Sequence, residues 1–205
     1  MNHCDHNEAL HPTRMDIPAE IRRYVIQLLN QTLACTVDLR FHVKQAGWNV
    51  RGQDLAPLQA LFASMASELD AYADLVAERI AVLGGIASGT APPAAMQSRV
   101  AASPDTLVDG QAQLGALAER FAPYARAMRG DIALAADVED ADTAAVYTDL
   151  SRGVDKQLWV LEAHLNRVST APKSHVGRTE ESRRYRSVIS ESMNGADAVG
   201  TPHND

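Results

Sequence analysis

Two carboxylates four residues apart, Asp74 and Glu78, are the residues of this sequence whose types and spacing most readily suggest chemistry. Residues at i and i+4 of a helix share one face, so both side chains would point in the same direction. The apolar stripe of this segment passes through Val76 and Ile80, which turns the two acids away from the core of their own chain. The pair is therefore a candidate metal half-site, completed only by ligands from another subunit. The alternative is a solvated helix face beside Arg79.

A second set of metal donors lies at the N-terminus. Imidazole and thiolate groups suit zinc or another divalent transition metal. The alternative, which we prefer, is a polar tail that holds no metal. The four donors are His3, Cys4, His6 and His11.

Apolar residues recur at steps of three and four along four stretches of the sequence, which predicts four long helices. The stretches run from about 18 to 48, from 57 to 83, from 103 to 128 and from 142 to 168. Asp16 and Ser103 are the expected N-caps of the first and third helices, and Pro123 should kink the third. No stretch alternates apolar and polar residues for long enough to predict a strand.

The connections between these helices are unequal in length. The first two helices are joined by a short turn at 49–56, whereas the second and third are joined by the longer segment 84–103. The longer segment can cross the bundle, or carry a short helix at 94–100. The predicted fold class is therefore all-α, a four-helix bundle with one long crossover that carries a short helix.

Length and composition place limits on the class of protein. A chain of 205 residues with 46% hydrophobic and 22% charged residues predicts one globular domain. We assign the bundle to residues 16–169, between flexible tails at 1–15 and 170–205 that lack a stripe able to bury a face. There is no run of 18 apolar residues and no apolar segment typical of a signal peptide. With two cysteines and no disulfide framework, a cytoplasmic protein is expected.

Short motifs between residues 44 and 90 resemble the Dps family of mini-ferritins, the DNA-protecting, iron-handling proteins of starved bacteria. They are Lys44-Gln45-Ala46 with Trp48-Asn49-Val50, the triplet Ala77-Glu78-Arg79, and Leu83-Gly84-Gly85 followed by Gly89-Thr90. The resemblance covers about residues 10–167. It implies a ferritin-like bundle assembled into a hollow dodecamer, with roles in iron binding, iron storage and the stress response. The implied location is the bacterial cytoplasm or nucleoid.

In this family a ferroxidase centre lies between two subunits, and the sequence departs from it. One subunit offers two histidines and an aspartate, and its two-fold mate offers an aspartate and a glutamate. The resemblance assigns the mate's half to Asp74 and Glu78, but Gly47, Gln59 and Ala63 stand at the other three positions. Iron favours imidazole and carboxylate ligands, and Gln59 adds only a weak neutral oxygen. We therefore expect weak or slow iron binding and weak or absent ferroxidase activity.

Gly47 also has a purely structural interpretation, in which it ends the first helix. The first functional hypothesis is a Dps-like cage for iron storage and oxidative-stress protection that has largely lost its ferroxidase ligands. The alternative is a non-catalytic structural or regulatory relative. It would co-assemble with an intact paralogue, to which it lends Asp74 and Glu78, or would bind another metal such as zinc.

Acids cluster just before the fourth helix. Negative charge at a helix N-terminus is stabilising, so capping explains them. The alternative is an acidic lining at a cage pore that draws in ferrous ions by electrostatic focusing. The acids are Asp137, Glu139, Asp140 and Asp142.

The charge of the chain argues against strong DNA binding. The formal net charge is −7, and acids outnumber bases in the first twenty residues. The C-terminal segment holds the basic cluster Arg183, Arg184 and Arg186, which Glu180 and Glu181 dilute. Because phosphate contacts supply most of the affinity for DNA, we predict that DNA binding is weak or absent.

Overall fold

The computed structural model describes residues 10–104 and 106–169, with side chains described as far as residue 166. This part of the chain forms five helices and no strand. The all-α prediction is therefore confirmed. The helices are α1 (Ala19–Asn49), α2 (Leu55–Val82), α3 (Ala91–Gln97), α4 (Gly110–Asp137) and α5 (Ala141–Ser169).

The four long helices pack as two antiparallel pairs, α1 with α2 and α4 with α5. Short connections at 50–54 and 138–140 force neighbouring helices to run in opposite directions. The long crossover between α2 and α4 carries the short helix α3, which packs on α1. α1 and α4 also run antiparallel to each other, since Thr36 meets Tyr124 whereas Thr32, one turn earlier on α1, meets Asp131, two turns later on α4.

The core is mainly apolar, and two threonine–tyrosine contacts lie within it. Large side chains from all four long helices are almost fully buried, as amphipathic helices require. On α1, the Thr36 hydroxyl lies 2.5 Å from the Tyr124 hydroxyl, and the Thr32 hydroxyl lies 3.1 Å from the Tyr147 hydroxyl. These hydrogen bonds offset the cost of burying the tyrosine hydroxyls and tie α1 to α4 and α5.

Two of the predicted helix ends were wrong. α1 begins after Pro18 without a side-chain cap, so Asp16 is not its N-cap. α4 begins at Gly110 rather than near Ser103, and the Asp109 carboxylate accepts a hydrogen bond from the backbone N–H of Ala112 at 2.9 Å. Residues before Gly110 are instead bound by distant partners: the Arg120 guanidinium binds the carbonyl oxygens of residues 101 and 102, and the Val108 carbonyl oxygen accepts the Arg51 backbone N–H at 2.8 Å.

Two further details concern residues inside the helices. α4 passes through Pro123 without ending. α1 continues through Gly47 to Asn49, so this glycine does not end the helix.

Residues 10–15, which we assigned to the N-terminal tail, pack against the bundle. Leu10 and Met15 lie on the hydrophobic core, and the backbone N–H of His11 donates to the carbonyl oxygen of Gly84 at 2.8 Å. Gly84 has φ +84°, and a Cβ there would lie 2.6 Å from the His11 carbonyl oxygen. Glycine is thus needed both to end α2 and to let the N-terminal segment dock. Residues 1–9 and 170–205 lie outside the described residues.

Candidate functional site

The structure brings Gly47, Gln59 and Ala63 together. The antiparallel pairing of α1 and α2 places the C-terminal turn of α1 beside the first turns of α2. All three residues line one open cavity of about 410 Å³, together with Trp48 and Phe62. The three positions that the sequence resemblance singled out therefore lie at a single surface feature of this chain.

The chemistry of this α1–α2 cavity does not suit ferrous iron. The Gln59 amide donates to the Gly47 carbonyl oxygen at 3.4 Å, and Lys44 brings a positive charge to the lining. Asp70 is the carboxylate of the lining, and Arg40 already forms an ion pair with it. The cavity thus offers no imidazole, and its one carboxylate is neutralised by a guanidinium. Ferrous iron needs anionic and imidazole ligands, so this donor set does not fit it.

The loss of ligands does not result from a lack of space. A Cβ built on Gly47 would lie 3.5 Å from the Phe62 Cβ, which is ordinary van der Waals contact. A side chain at position 47 would therefore point into open cavity without displacing the backbone. The α1–α2 cavity therefore has room for metal ligands at this position but lacks the donor groups.

Asp74 and Glu78 are exposed on α2, while their neighbour Arg79 turns inward and is buried. Eleven residues of α2 separate Ala63 from Asp74, which corresponds to about 16 Å along the helix. The two acids therefore cannot share a metal ion with Gly47, Gln59 and Ala63 of the same chain. Among the residues that the structure describes, no three His, Cys, Asp or Glu side chains are grouped closely enough to hold a metal ion.

Asp140 has a different environment from the other three acids of its cluster. Its side chain is only 1% exposed and accepts a hydrogen bond from the Arg79 guanidinium at 2.6 Å. It also accepts the Thr143 backbone N–H at 3.0 Å and the Thr143 hydroxyl at 2.6 Å. Asp140 is thus committed to capping α5 and to pairing with α2, so it is not available to line a pore. Asp137, Glu139 and Asp142 are exposed, and their role at a pore stays a prediction.

The other predicted site residues lie mostly outside the described part of the chain. His3, Cys4 and His6 of the tail donor set, and the basic residues Arg183, Arg184 and Arg186, are not among the described residues. His11 is described and exposed, and its backbone is held at Gly84. A tail metal site and a DNA contact therefore stay predictions.

A second, larger cavity was not predicted. It lies between α1, α4 and the crossover residues 99–101, and its volume is about 560 Å³. Its most distinctive side chain is Asp131, a carboxylate that follows Tyr124 and Met128 on the core-facing side of α4. An acid in an apolar stripe is the sequence signal that could have revealed this α1–α4 cavity.

Comparison with known proteins assigns the fold to a family. A family model for the ferritin-like domain matches residues 26–171. The DNA protection during starvation protein of Agrobacterium fabrum is 35% identical over 159 residues, which cover 78% of this chain and 98% of that protein. The solved structure of DpsA14 from Streptomyces coelicolor has 28% identity and a TM-score of 0.70, covering 77% of this chain and 95% of that chain. DpsC from the same organism has 26% identity and a TM-score of 0.73, with 77% and 92% coverage.

Four long helices in two antiparallel pairs, a long crossover and the matched domain define a ferritin-like protein. Within that class, the chain belongs to the Dps family of mini-ferritins. No helix in the described ranges is both long and apolar enough to cross a membrane.

Proposed function

We propose that this chain is the subunit of a Dps-type cage that takes up and stores iron in oxidative-stress protection, without a rapid ferroxidase centre at its subunit interface. Dps proteins form dodecamers, and family membership supports the cage and the iron cargo. The proposed lack of a rapid ferroxidase centre rests on the α1–α2 cavity. Gly47, Gln59 and Ala63 lie together there, and none of them is a strong metal donor.

The charges around the cavity support slow rather than fast handling of ferrous ions. Lys44 and Arg40 contribute two positive charges, and Asp70 contributes one negative charge. A divalent cation that approaches this wall therefore meets a net repulsive field. Asp74 and Glu78 of a second subunit would hold the ion from one side only, as a weak all-oxygen half-site. Iron would then enter the cage mainly as cargo, and it would be oxidised slowly.

Ferrous oxidation by the assembled full-length protein tests this proposal. We expect oxidation in air close to the rate in buffer alone. The variant Gly47→His, Gln59→His, Ala63→Asp supplies the missing donors and should raise the initial rate about tenfold or more, the gain that about 1.4 kcal/mol of transition-state stabilisation gives.

A matched control carries the same three new side chains elsewhere. Gly130, Gln53 and Ala133 are exposed, and a Cβ on Gly130 would meet nothing within 4 Å. The variant Gly130→His, Gln53→His, Ala133→Asp should leave the rate unchanged. Rapid oxidation by the unmodified protein would contradict the proposal, as would an equal gain in the control.

A second candidate function is favoured by the state of Asp74 and Glu78. Both are exposed, and neither forms an ion pair within the described part of the chain. They are thus available to complete a centre whose histidines come from another Dps chain. Mixed cages with a ferroxidase-competent Dps protein should then oxidise iron faster than the dilution of that protein predicts. The double variant Asp74→Asn, Glu78→Gln should abolish this excess, and an excess that survives it would contradict co-assembly through these residues.

A further inference from the structure

The α1–α4 cavity is an elongated slot between two antiparallel helices. Its α1 wall runs from Tyr24 to Cys35, a stretch whose two ends are about 16 Å apart along the helix. Its α4 wall runs from Glu119 to Asp131 in the opposite direction. Tyr24 and Asp131 therefore lie at one end, whereas Cys35 and Glu119 lie at the other. The volume of about 560 Å³ is within the range of small-molecule sites.

The walls of the slot are mainly apolar. Side chains from three elements contribute, with the Tyr24 and Tyr124 rings beside them. Pro123 lacks an N–H, so the carbonyl of residue 119 does not receive the usual helical hydrogen bond from this position. The apolar residues are Leu28, Val100, Ala101, Pro123, Ala127 and Met128.

Asp131 is the acidic side chain at the Tyr24 end. Burial raises the pKa of this carboxyl to about 6, and nearby Arg99 and the Thr32 hydroxyl offset that rise only in part. No ion pair involves Asp131 among the described residues. An ionisable group held in an apolar cavity at a cost to stability is typical of a binding site.

The positive charges of the lining are less available to a ligand. The Arg120 guanidinium is taken up by the carbonyl oxygens of residues 101, 102 and 116. Arg99 is exposed, so water already solvates its charge. The half-buried Asp131 has lost more of its hydration, and it gains more from a partner of opposite charge than Arg99 does.

We propose that the α1–α4 cavity binds a small primary amine with an apolar body, with the ammonium group against Asp131 and the body along Leu28, Val100 and Met128. The tyrosine ring of Tyr24 at the same end favours a cation through its π face. The slot beyond Asp131 is apolar and accepts an aryl or alkyl group. This site is separate from the α1–α2 cavity and does not depend on whether iron is oxidised there.

Three probes that share a phenylethyl body and differ in the charge of their head group test the proposal on the assembled full-length protein. They are phenethylamine, 2-phenylethanol and 3-phenylpropionate, and calorimetry or ligand-observed NMR at pH 7 gives their affinities. Phenethylamine should bind about tenfold more tightly than the alcohol, because its ammonium group forms a charge-assisted hydrogen bond to the Asp131 carboxylate. The carboxylate should bind no better than the alcohol.

Asp131→Asn should reduce the affinity for phenethylamine to that of the alcohol. Asp149→Asn changes an exposed aspartate of α5 outside the cavity and should have no effect. Ala127→Phe fills the slot and should abolish binding of all three probes. Ala133→Phe adds the same side chain to an exposed position of α4 outside the lining and should not.

A pH titration checks the role of Asp131 without a substitution. Arg99 from the crossover, Tyr124 from α4 and Tyr147 from α5 interact with it. The other ionisable groups of the lining are Tyr24 from α1 and Glu119 and Arg120 from α4. Lowering the pH from 7 to 5 takes the Asp131 carboxyl through its pKa of about 6, so most of its negative charge is lost. Affinity for the amine should therefore fall several-fold as the pH is lowered from 7 to 5, whereas affinity for the alcohol should stay constant.

Several results would overturn the proposal. Equal affinity for the three probes, or strongest binding of the carboxylate, would show that Asp131 does not select a cation. Failure of phenethylamine to bind at millimolar concentration would show that the cavity is not an amine site. Binding that survives Ala127→Phe would place the ligand elsewhere.

Discussion

The two cavities that share α1 differ in what surrounds their carboxylate. In the α1–α2 cavity, Asp70 is paired with Arg40, and Lys44 lies close by. In the α1–α4 cavity, Asp131 has no ion-pair partner among the described residues, and burial raises its pKa to about 6. The Asp70 carboxylate already forms an ion pair with a neighbouring side chain, whereas the Asp131 carboxylate remains available to a ligand. The partner of a carboxylate, rather than its presence, therefore decides which chemistry a site can perform.

Asp140 extends this comparison to a fully buried and fully paired carboxylate. Asp140→Ala would leave the buried Arg79 guanidinium with only the Thr143 hydroxyl and, at 3.7 Å, the exposed Asp142 carboxylate, and it would remove the cap of α5. Removing one partner of a buried pair costs about 3–5 kcal/mol, so this substitution should have the largest effect on the free energy of unfolding. Chemical denaturation of the variant measures it, with Asp155→Ala, which breaks the exposed pair with Arg129, as the control. A loss below about 1 kcal/mol, typical of exposed pairs, would contradict the assigned role.

Two glycines test whether the space at Gly47 is real. A Cβ on Gly153 would lie 1.7 Å from the Tyr72 hydroxyl oxygen, so Gly153→Ala must displace this ring and should cost about 1–3 kcal/mol. Gly47→Ala meets only ordinary contacts and should stabilise the helix by about 0.4–1 kcal/mol. The two variants should thus shift the thermal midpoint in opposite directions. A destabilised Gly47→Ala would mean that the α1–α2 cavity is not open.

Asp131→Asn should stabilise the protein at neutral pH. The folded-state pKa of about 6 lies above the ordinary value of 3.8, so folding favours the protonated carboxyl and the ionised form destabilises the native state. The cost is present above about pH 6 and disappears as the pH falls below the unfolded-state value. Because the carboxyl is only half-buried, solvent reduces the gain to about 1 kcal/mol at pH 7. Denaturation at pH 7 and at pH 3.5 should show a gain at the first pH only, and equal gains would contradict this interpretation.

DNA binding should show the smallest effect. Twelve chains with a formal charge of −7 carry about −84 charges, which oppose a phosphate backbone. A gel-shift assay of the assembled particle should show no complex near physiological salt. Removing residues 170–205, which hold Arg183, Arg184 and Arg186, should therefore change nothing under those conditions. A salt-resistant shift that this truncation abolishes would contradict the prediction.

Local pattern was enough to predict most of the fold. Helical periodicity and the unequal connections predicted the four long helices, the bundle and the crossover with its short helix, because each depends on residues close in sequence. Motifs around positions 44–50 and 77–90 were sufficient to indicate the family. The resemblance also singled out Gly47, Gln59 and Ala63 as the positions where metal ligands are expected.

Contacts between residues that are far apart in the sequence could not be predicted from local pattern. The segment before α4 is bound by Arg120, which lies eighteen and nineteen residues after the carbonyl groups that it contacts. The burial of Asp140 depends on Arg79, sixty-one residues away. The α1–α4 cavity depends on how the crossover lies over two helices. In each case a tertiary partner overrides the local pattern.

Iron placement in the assembled particle tests the central claim most directly. Crystals soaked anaerobically in ferrous salt and measured at the iron absorption edge would locate the metal by anomalous scattering. We predict at most a weak peak held by Asp74 and Glu78 from one side, facing Gly47, Gln59 and Ala63 of a neighbouring subunit. A well-occupied iron site closed by nitrogen ligands at that interface, or an assembly that places the two halves far apart, would contradict it.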